Sequence, residues 1–252
     1  MAVQRFPDIA DHGLIGDLQT AALITTDGTV DWFCCPRFDS PAVFAALLDA
    51  DRGGHFQIAP GQDNWVSRQL YLPSSAVLIT RFMTPDGVGE VQDFMPVTTG
   101  AVTGRHRLGR VLRATRGTMH FAMDLQPRFG YGRQRHLTEV SDEGAVFRSD
   151  DLDLTLHVAE PVLERRGDGV HGTWTLHEGE TAGVLLESGG GPARRLEMAE
   201  RLLGQRRRPV HAVHDPHRTG LLGLLGRPVP EPHRERLGFF QIAKAEQGAD
   251  GQ

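Results

Sequence analysis

The sequence predicts an all-β fold: a large antiparallel β-sandwich (a supersandwich) with one short helix near the N-terminus and an irregular or partly helical C-terminal tail. Three observations carry this. Short apolar stretches recur at close spacing between Leu14 and Glu187. Turn-forming Gly, Asp and Glu residues separate them, and apolar and polar side chains alternate with the period of a half-buried strand. With 252 residues, 39% of them apolar and 23% charged, the chain can bury one large core or two modest ones.

The elements follow in order. Ala21 to Ile24 and Val30 to Cys34 flank Asp27-Gly28, a strong hairpin signal because both central positions of a tight primed turn need positive φ. Pro36 ends the second strand, since it lacks the N–H that a ladder requires. Ser40-Pro41 opens the predicted helix with a capping hydroxyl and a first-turn proline. That helix buries Val43, Phe44, Leu47 and Leu48, and Gly53-Gly54 stops it. Strands are then predicted at 66–72 and 76–83, with Pro85-Asp86-Gly87 turning the chain into 88–95. Segment 108–116 alternates with basic residues outward, and 119–126 alternates Met119, Phe121, Met123 and Leu125 with smaller or polar partners. Strands at 145–149, 152–159, 170–176 and 182–187 complete the set. In 152–159, Leu152, Leu154, Leu156 and Val158 face a core while Asp153, Thr155 and His157 face water.

The net charge of −5 gives no electrostatic reason to expect nucleic acid or an anionic membrane as partner. Cys34 and Cys35 are adjacent, a geometry in which a mutual disulfide is strained; the expectation is two free thiols, one pointing into the core and one away. The first residues contain no apolar core of a secretory signal, and no apolar run has membrane-spanning length. Together these imply a soluble, cytoplasmic chain.

Composition divides the chain into a sandwich domain (1–188), a linker with a short helix (189–203) and an atypical, disordered tail (204–252). Gly189-Gly190-Gly191-Pro192 marks the linker, and Leu196, Ala199, Leu202 and Leu203 follow at helical spacing. The tail has no globular pattern, and a shifted reading frame or truncated gene would account for it. Its His211, His214 and His217 have spacing suited to zinc, but Pro209 and Pro216 break helical geometry and apolar support is absent. Arg206, Arg207 and Arg208 read as a solvated run without interleaved aromatics. No metal and no cofactor is expected.

Several ordered motifs also carry a resemblance: Ile15-Gly16-Asp17, Thr20-Ala21-Ala22-Leu23, the stretch from Asp27 to Ala50, Tyr71-Leu72-Pro73, Thr80-Arg81-Phe82-Met83-Thr84-Pro85-Asp86-Gly87, Val91-Gln92-Asp93-Phe94-Met95-Pro96 and Gln126-Pro127-Arg128-Phe129-Gly130-Tyr131-Gly132. About three quarters of the chain resembles the N-terminal region of bacterial glycoside hydrolase family 15 proteins, the glucoamylase- and trehalase-like enzymes. The resemblance implies a β-sandwich preceding a helical-barrel catalytic domain that this sequence does not contain. It also implies the partners: that barrel and, through it, an α-glucoside.

Glycoside hydrolysis needs two carboxyl groups across the scissile bond. Asp49, Asp51, Asp142, Glu143, Asp150, Asp151, Asp153, Glu178 and Glu180 all lie in turn-like or strand-edge stretches, where acids are ordinarily solvated. The family's catalytic glutamates sit on barrel loops, so no catalytic residue is assigned. Asp17 and Asp31 are expected to bond backbone amides within the hairpins. Arg37, Phe38 and Asp39 have two readings: a helix cap with a local ion pair, or a loop facing the missing barrel or the edge of its sugar site. Arg128, Phe129 and Tyr131 form a second basic-aromatic loop of the same kind. A stand-alone carbohydrate-binding module would need several exposed Trp or Tyr, and the sequence has three Trp and two Tyr, with Trp32 and Trp174 inside strand patterns. One chain of a split hydrolase is the remaining alternative.

Overall fold

The computed structural model describes residues 6–97, 104–159 and 162–193. The predicted helix from 194 onward, the arginine run and the tail histidines lie outside the described residues. The chain divides into two units, Met1–Val210 and His211–Gln252.

After a 3-10 turn at Ile9–Asp11 come β1 (His12–Gly16), β2 (Ala21–Thr25), β3 (Thr29–Cys34), β4 (Ala42–Phe44) and β5 (His55–Pro60). Next are β6 (Val66–Tyr71), β7 (Leu78–Met83), β8 (Gly87–Phe94) and the long β9 (Arg107–Gln126). The last six are β10 (Leu137–Ser141), β11 (Gly144–Arg148), β12 (Asp153–Val158), β13 (Val162–Arg166), β14 (Gly169–His177) and β15 (Thr181–Ser188). Neighbouring strands pair antiparallel throughout the described residues, as the all-β prediction requires.

Strand β9 belongs to both layers. Its first half pairs β8 on one side and β15 on the other; its second half pairs β5 and β14. One layer is therefore β1-β2-β3-β5-β9-β14-β13 with β4 on β3, and the other is β6-β7-β8-β9-β15-β12-β11-β10. The predicted strands at 108–116 and 119–126 are thus one strand. Gly117 lies between them at φ 66°, a backbone that disfavours any side chain. Met119, Phe121, Met123 and Leu125 are all buried as the alternation demands, and with Phe33, Phe44, Phe56, Phe82 and Phe147 they form the interlayer core.

Arg110 corrects the expectation that the basic residues of 108–116 face outward. Its parity on β9 matches Leu108 and Leu112, and it is fully buried. The side chain donates from Nε to Asp93 Oδ1 at 2.7 Å, from Nη1 to the Phe56 carbonyl at 2.6 Å and from Nη2 to the Gly28 carbonyl at 2.7 Å. Its guanidinium also lies 4.7 Å from the Phe56 ring centroid. One cation thus joins β8 and β9 of one layer to β5 and the β2–β3 turn of the other. Burial is tolerated because all three nitrogens are bonded and the charge is matched.

The Asp27-Gly28 hairpin forms with a different turn. Gly28 N donates to Thr25 O at 2.9 Å, and Gly28 alone in that turn has positive φ, at 80°. This is a four-residue turn closed by a left-handed glycine rather than a primed two-residue turn. A register shift after Leu23 pairs Leu23 with Trp32 and Ile24 with Val30, leaving Asp31 as the bulged residue.

The predicted helix after Ser40 is absent. Ala42, Val43 and Phe44 are consecutive, buried strand residues, with Phe44 paired to Phe33 and Ala42 to Cys34. Ala45 N and Ala46 N then donate to the carbonyls of Gly53 and Gly54, closing a loop in which Asp49 N bonding Ala45 O makes an isolated turn and no helix. Three adjacent buried side chains cannot share one helical stripe, but a strand enclosed on both sides accommodates them. Leu48, assigned to the buried helical face, is 62% exposed.

Two further corrections concern burial. Cys34 and Cys35 are free thiols, and both are buried, at 2% and 3% exposure. They do point to opposite faces, Cys35 into the interlayer core and Cys34 into a small cluster with Ala42 and Ala45. Thr155 and His157 on β12 are likewise buried, not turned to water.

Candidate functional site

Strand alternation places Trp32 and Cys34 on the side of β3 opposite Phe33, where Ala42 and Ala45 pack with them. The loop after β3 is fixed by its backbone. Arg37 N donates to Ser40 Oγ at 3.1 Å, Ser40 N to Arg37 O at 3.0 Å and Phe38 N to Gln19 O at 3.2 Å. Ser40 therefore closes this loop and does not cap a helix. Arg37 donates from Nε and Nη2 to the two carboxylate oxygens of Asp39, each at 3.0 Å. This pair is solvated, with 69% and 56% of the two side chains exposed, so it orders the loop without adding much stability. Phe38 stands 73% exposed on that rigid frame. Burial, with a smaller contribution from the Asp39 carboxylate, raises the Cys34 thiol above its ordinary pKa.

The second loop is docked on β4, Arg128 N donating to Val43 O at 2.9 Å. Phe129 is buried and anchors it. Gly130, Tyr131 and Gly132 follow with φ of 60°, 60° and 74°. A left-handed tyrosine costs about 1–2 kcal/mol relative to an ordinary backbone. The conformation swings its ring to 6.3 Å from that of Trp32, centroid to centroid, with 41% of the residue exposed. The stem of Arg128 packs over Gly54, whose added Cβ would fall 2.8 Å from Arg128 Cγ, and its Nη1 donates to Pro127 O at 2.9 Å.

Tyr131 therefore meets Trp32, which packs on the buried Cys34, Ala42 and Ala45, and the Arg37–Asp39 loop follows directly on that strand with Phe38 projecting from it. Arg128 supports its own loop. Trp32 is the member that sequence reasoning missed. Its parity opposite Phe33 was the available signal, but a tryptophan within a strand pattern reads equally well as core.

At least five of the nine candidate acids have a local partner. Asp49 accepts from the amides of Asp51 and Arg52, Glu178 from Gly117 N and Glu180 from His177 N. Asp153 pairs with Arg148, and Asp151 accepts from Gln134. Asp17 bonds the amides of Gln19 and Thr20 as expected and also meets His106 Nδ1 at 2.6 Å. Asp31 does not bond hairpin amides through its side chain: the bulge turns it to His12 Nε2 at 2.8 Å, and its other oxygen is buried without a hydrogen-bond partner. Burial raises the Asp31 pKa against the pull of His12. For His12 burial acts downward, but the bond to Asp31 and its charge together carry the imidazole above its ordinary value. Burial pushes the Cys35 thiol up to about 12, so it is protonated at neutral pH and unsuited to nucleophilic attack.

Residues 2–189 match the family described as trehalase-like, N-terminal. The chain belongs to that family. Similar proteins include a trehalase of Thermoplasma volcanium, 30% identical over 188 residues, a stretch that is 73% of this chain and 30% of that protein. A trehalase of Mycolicibacterium smegmatis is 38% identical over 152 residues, 54% of this chain and 22% of the relative. Trehalase 1 of Sulfolobus acidocaldarius is 36% identical over 135 residues, again 54% and 22%. The trehalase-like domain thus spans less than a third of the length of these relatives. The relationship is to trehalases, which are glycoside hydrolases.

Proposed function

We propose that this trehalase-like domain is a non-catalytic β-sandwich of a family 15, α-glucoside-cleaving hydrolase, inactive alone, and that its Trp32, Phe38 and Tyr131 face docks the helical catalytic barrel. The observation that carries the reading is the extent of the match: the domain corresponds to at most 30% of trehalases that are otherwise longer. The face supports it. Rigid loops hold Phe38 and Tyr131 toward solvent, a left-handed tyrosine is maintained there, and Leu48 is exposed after the adjoining loop. An exposed aromatic on a fixed backbone loses little entropy when buried by a partner. Arg37 and Asp39 would then exchange their mutual bond for hydrogen bonds across the interface or at the rim of the sugar site.

Two free, buried thiols suit a reducing compartment, and we place the chain in the cytoplasm. Among the described residues no helix is long and apolar enough to cross a membrane.

The test is an assay of the purified chain on trehalose, maltose and starch together with calorimetric titration of the same sugars. The expected outcome is no turnover and no binding heat. Turnover overturns the non-catalytic reading. Saturable binding without turnover makes the chain a carbohydrate-binding module. Co-purification with a barrel encoded downstream would establish the split-enzyme form of the reading.

A further inference from the structure

The first layer ends at β1, which pairs only β2 among the described strands. Two bonds flanking that pair fix which backbone groups face out. Thr26 N donates to Asp11 O at 3.0 Å, and Asp17 N donates to Thr20 O at 3.2 Å. In the register of this antiparallel pair, Gly13 and Ile15 therefore bond toward β2. The amides and carbonyls of His12, Leu14 and Gly16 point away from the sheet. Such an edge is a template for another strand unless something occupies it.

Two local devices occupy it. His12 N donates to Ile9 O, within the 3-10 turn that precedes the strand. At Leu14, in the middle of the edge, the occupant is a side chain from the other layer. The Tyr71 hydroxyl accepts from Leu14 N at 2.8 Å and donates to Leu14 O at 2.9 Å. One phenol thus makes the two bonds that a facing residue on a neighbouring strand would make. Gln69, of the same parity on β6, donates from Nε2 to Thr25 O at 2.8 Å and to Ile24 O at 3.3 Å. β6 pairs only β7 among the described strands. Two of its side chains thus bond backbone of the first layer, which accounts for a strand with no buried residue.

The edge beneath the phenol is complementary to itself. An antiparallel two-fold through Leu14 sets Leu14 against Leu14 of a second copy and His12 against Gly16. Each outward amide then meets an outward carbonyl, two leucines meet across the axis and no like charges face each other. Leu14 is 55% exposed, so the apolar contact is available.

We propose that β1 is a latent edge for pairing with a second copy of this chain, and that the Tyr71 side chain keeps it closed. With the phenol on Leu14 the first layer ends at β1. With the phenol removed, two first layers join into one continuous sheet through their β1 strands. The pairing is brief, so the resulting dimer is weak and concentration-dependent.

The test uses the full chain. Hydrogen exchange on the unmodified chain should show the Leu14 amide protected, and Tyr71→Phe, which keeps the ring but loses both bonds, should speed that amide at least tenfold. Tyr71→Ala, which clears the edge, should dimerise in sedimentation equilibrium at concentrations up to about 0.5 mM, where the parent is monomeric. Adding Leu14→Lys, a charge on the edge, should restore the monomer, whereas adding Phe38→Ser should not. A Leu14 amide that exchanges at unstructured rates in the parent overturns the proposal without recourse to any variant, as does one that Tyr71→Phe leaves unchanged. A Tyr71→Ala chain that stays monomeric overturns it too. Association that persists with Leu14→Lys, or vanishes with Phe38→Ser, would place the contact on another surface and likewise overturn it.

Discussion

At the residue scale, one fully buried arginine ties the two layers together. Arg110→Met leaves Asp93 charged in a dry core and should cost about 3–5 kcal/mol, read as a lower urea midpoint. Adding Asp93→Asn should recover part of that loss, because the stranded charge is removed with its partner gone. An equal or larger loss in the double variant would show that Arg110 acts mainly through the Phe56 and Gly28 carbonyls. The His12–Asp31 pair gives a pH prediction. Both groups have folded pKa values above their ordinary ones, so the folded state binds more protons and stability falls as pH rises through each shifted window. For His12 the gain is full below 6.5 and is lost as pH rises through its folded pKa. Asp31→Asn should flatten the stability profile above pH 6.5, measured as ΔG of unfolding against pH; an unchanged slope would refute the assignment. Neither Arg110 nor Asp31 was legible in the sequence. An arginine reads as outward until its partners across the other layer are known, and the bulge that re-aims Asp31 leaves no mark in the alternation.

At the scale of elements, regular strands were legible and irregular backbone was not. Met119, Phe121, Met123 and Leu125 announce their strand because one face must be apolar and the other need not be. Residues 41–53 misled because Ser-Pro followed by alanines and leucines is also a good helix start, and only pairing of Phe44 with Phe33 decides for β. Strand β4 is brief and β13 has few apolar residues, so neither announces itself by period. Gly117 is the element on which the sandwich turns. A Cβ there would lie 2.2 Å from Asp86 O on a backbone at φ 66°. Gly117→Ala should therefore destabilise by about 2 kcal/mol or more, since strain and a backbone collision add. Thermal melting checks this, and a Tm within a degree of the parent would mean that the β7–β8 turn carrying Asp86 can shift.

For the whole molecule, the sequence supported the layered all-β architecture and the family because both depend on many weak signals in order. The candidate face was half legible: Arg37, Phe38 and Asp39 stood out as surplus to the local elements, while Trp32 required the third dimension. Their combination makes a prediction that separates an interface from a structural loop. Phe38 and Leu48 are 73% and 62% exposed, so replacing both with serine removes little buried area and should shift the Tm by no more than about 2 °C. The same double variant should lower binding of a hydrophobic dye and any concentration-dependent self-association seen by sedimentation, because it removes two large exposed apolar side chains. A large loss of Tm would instead make the loop part of the folded core. An unchanged dye signal and unchanged sedimentation, with the fold intact, would remove Phe38 and Leu48 from the proposed docking surface and leave that proposal to rest on the Trp32–Tyr131 pair.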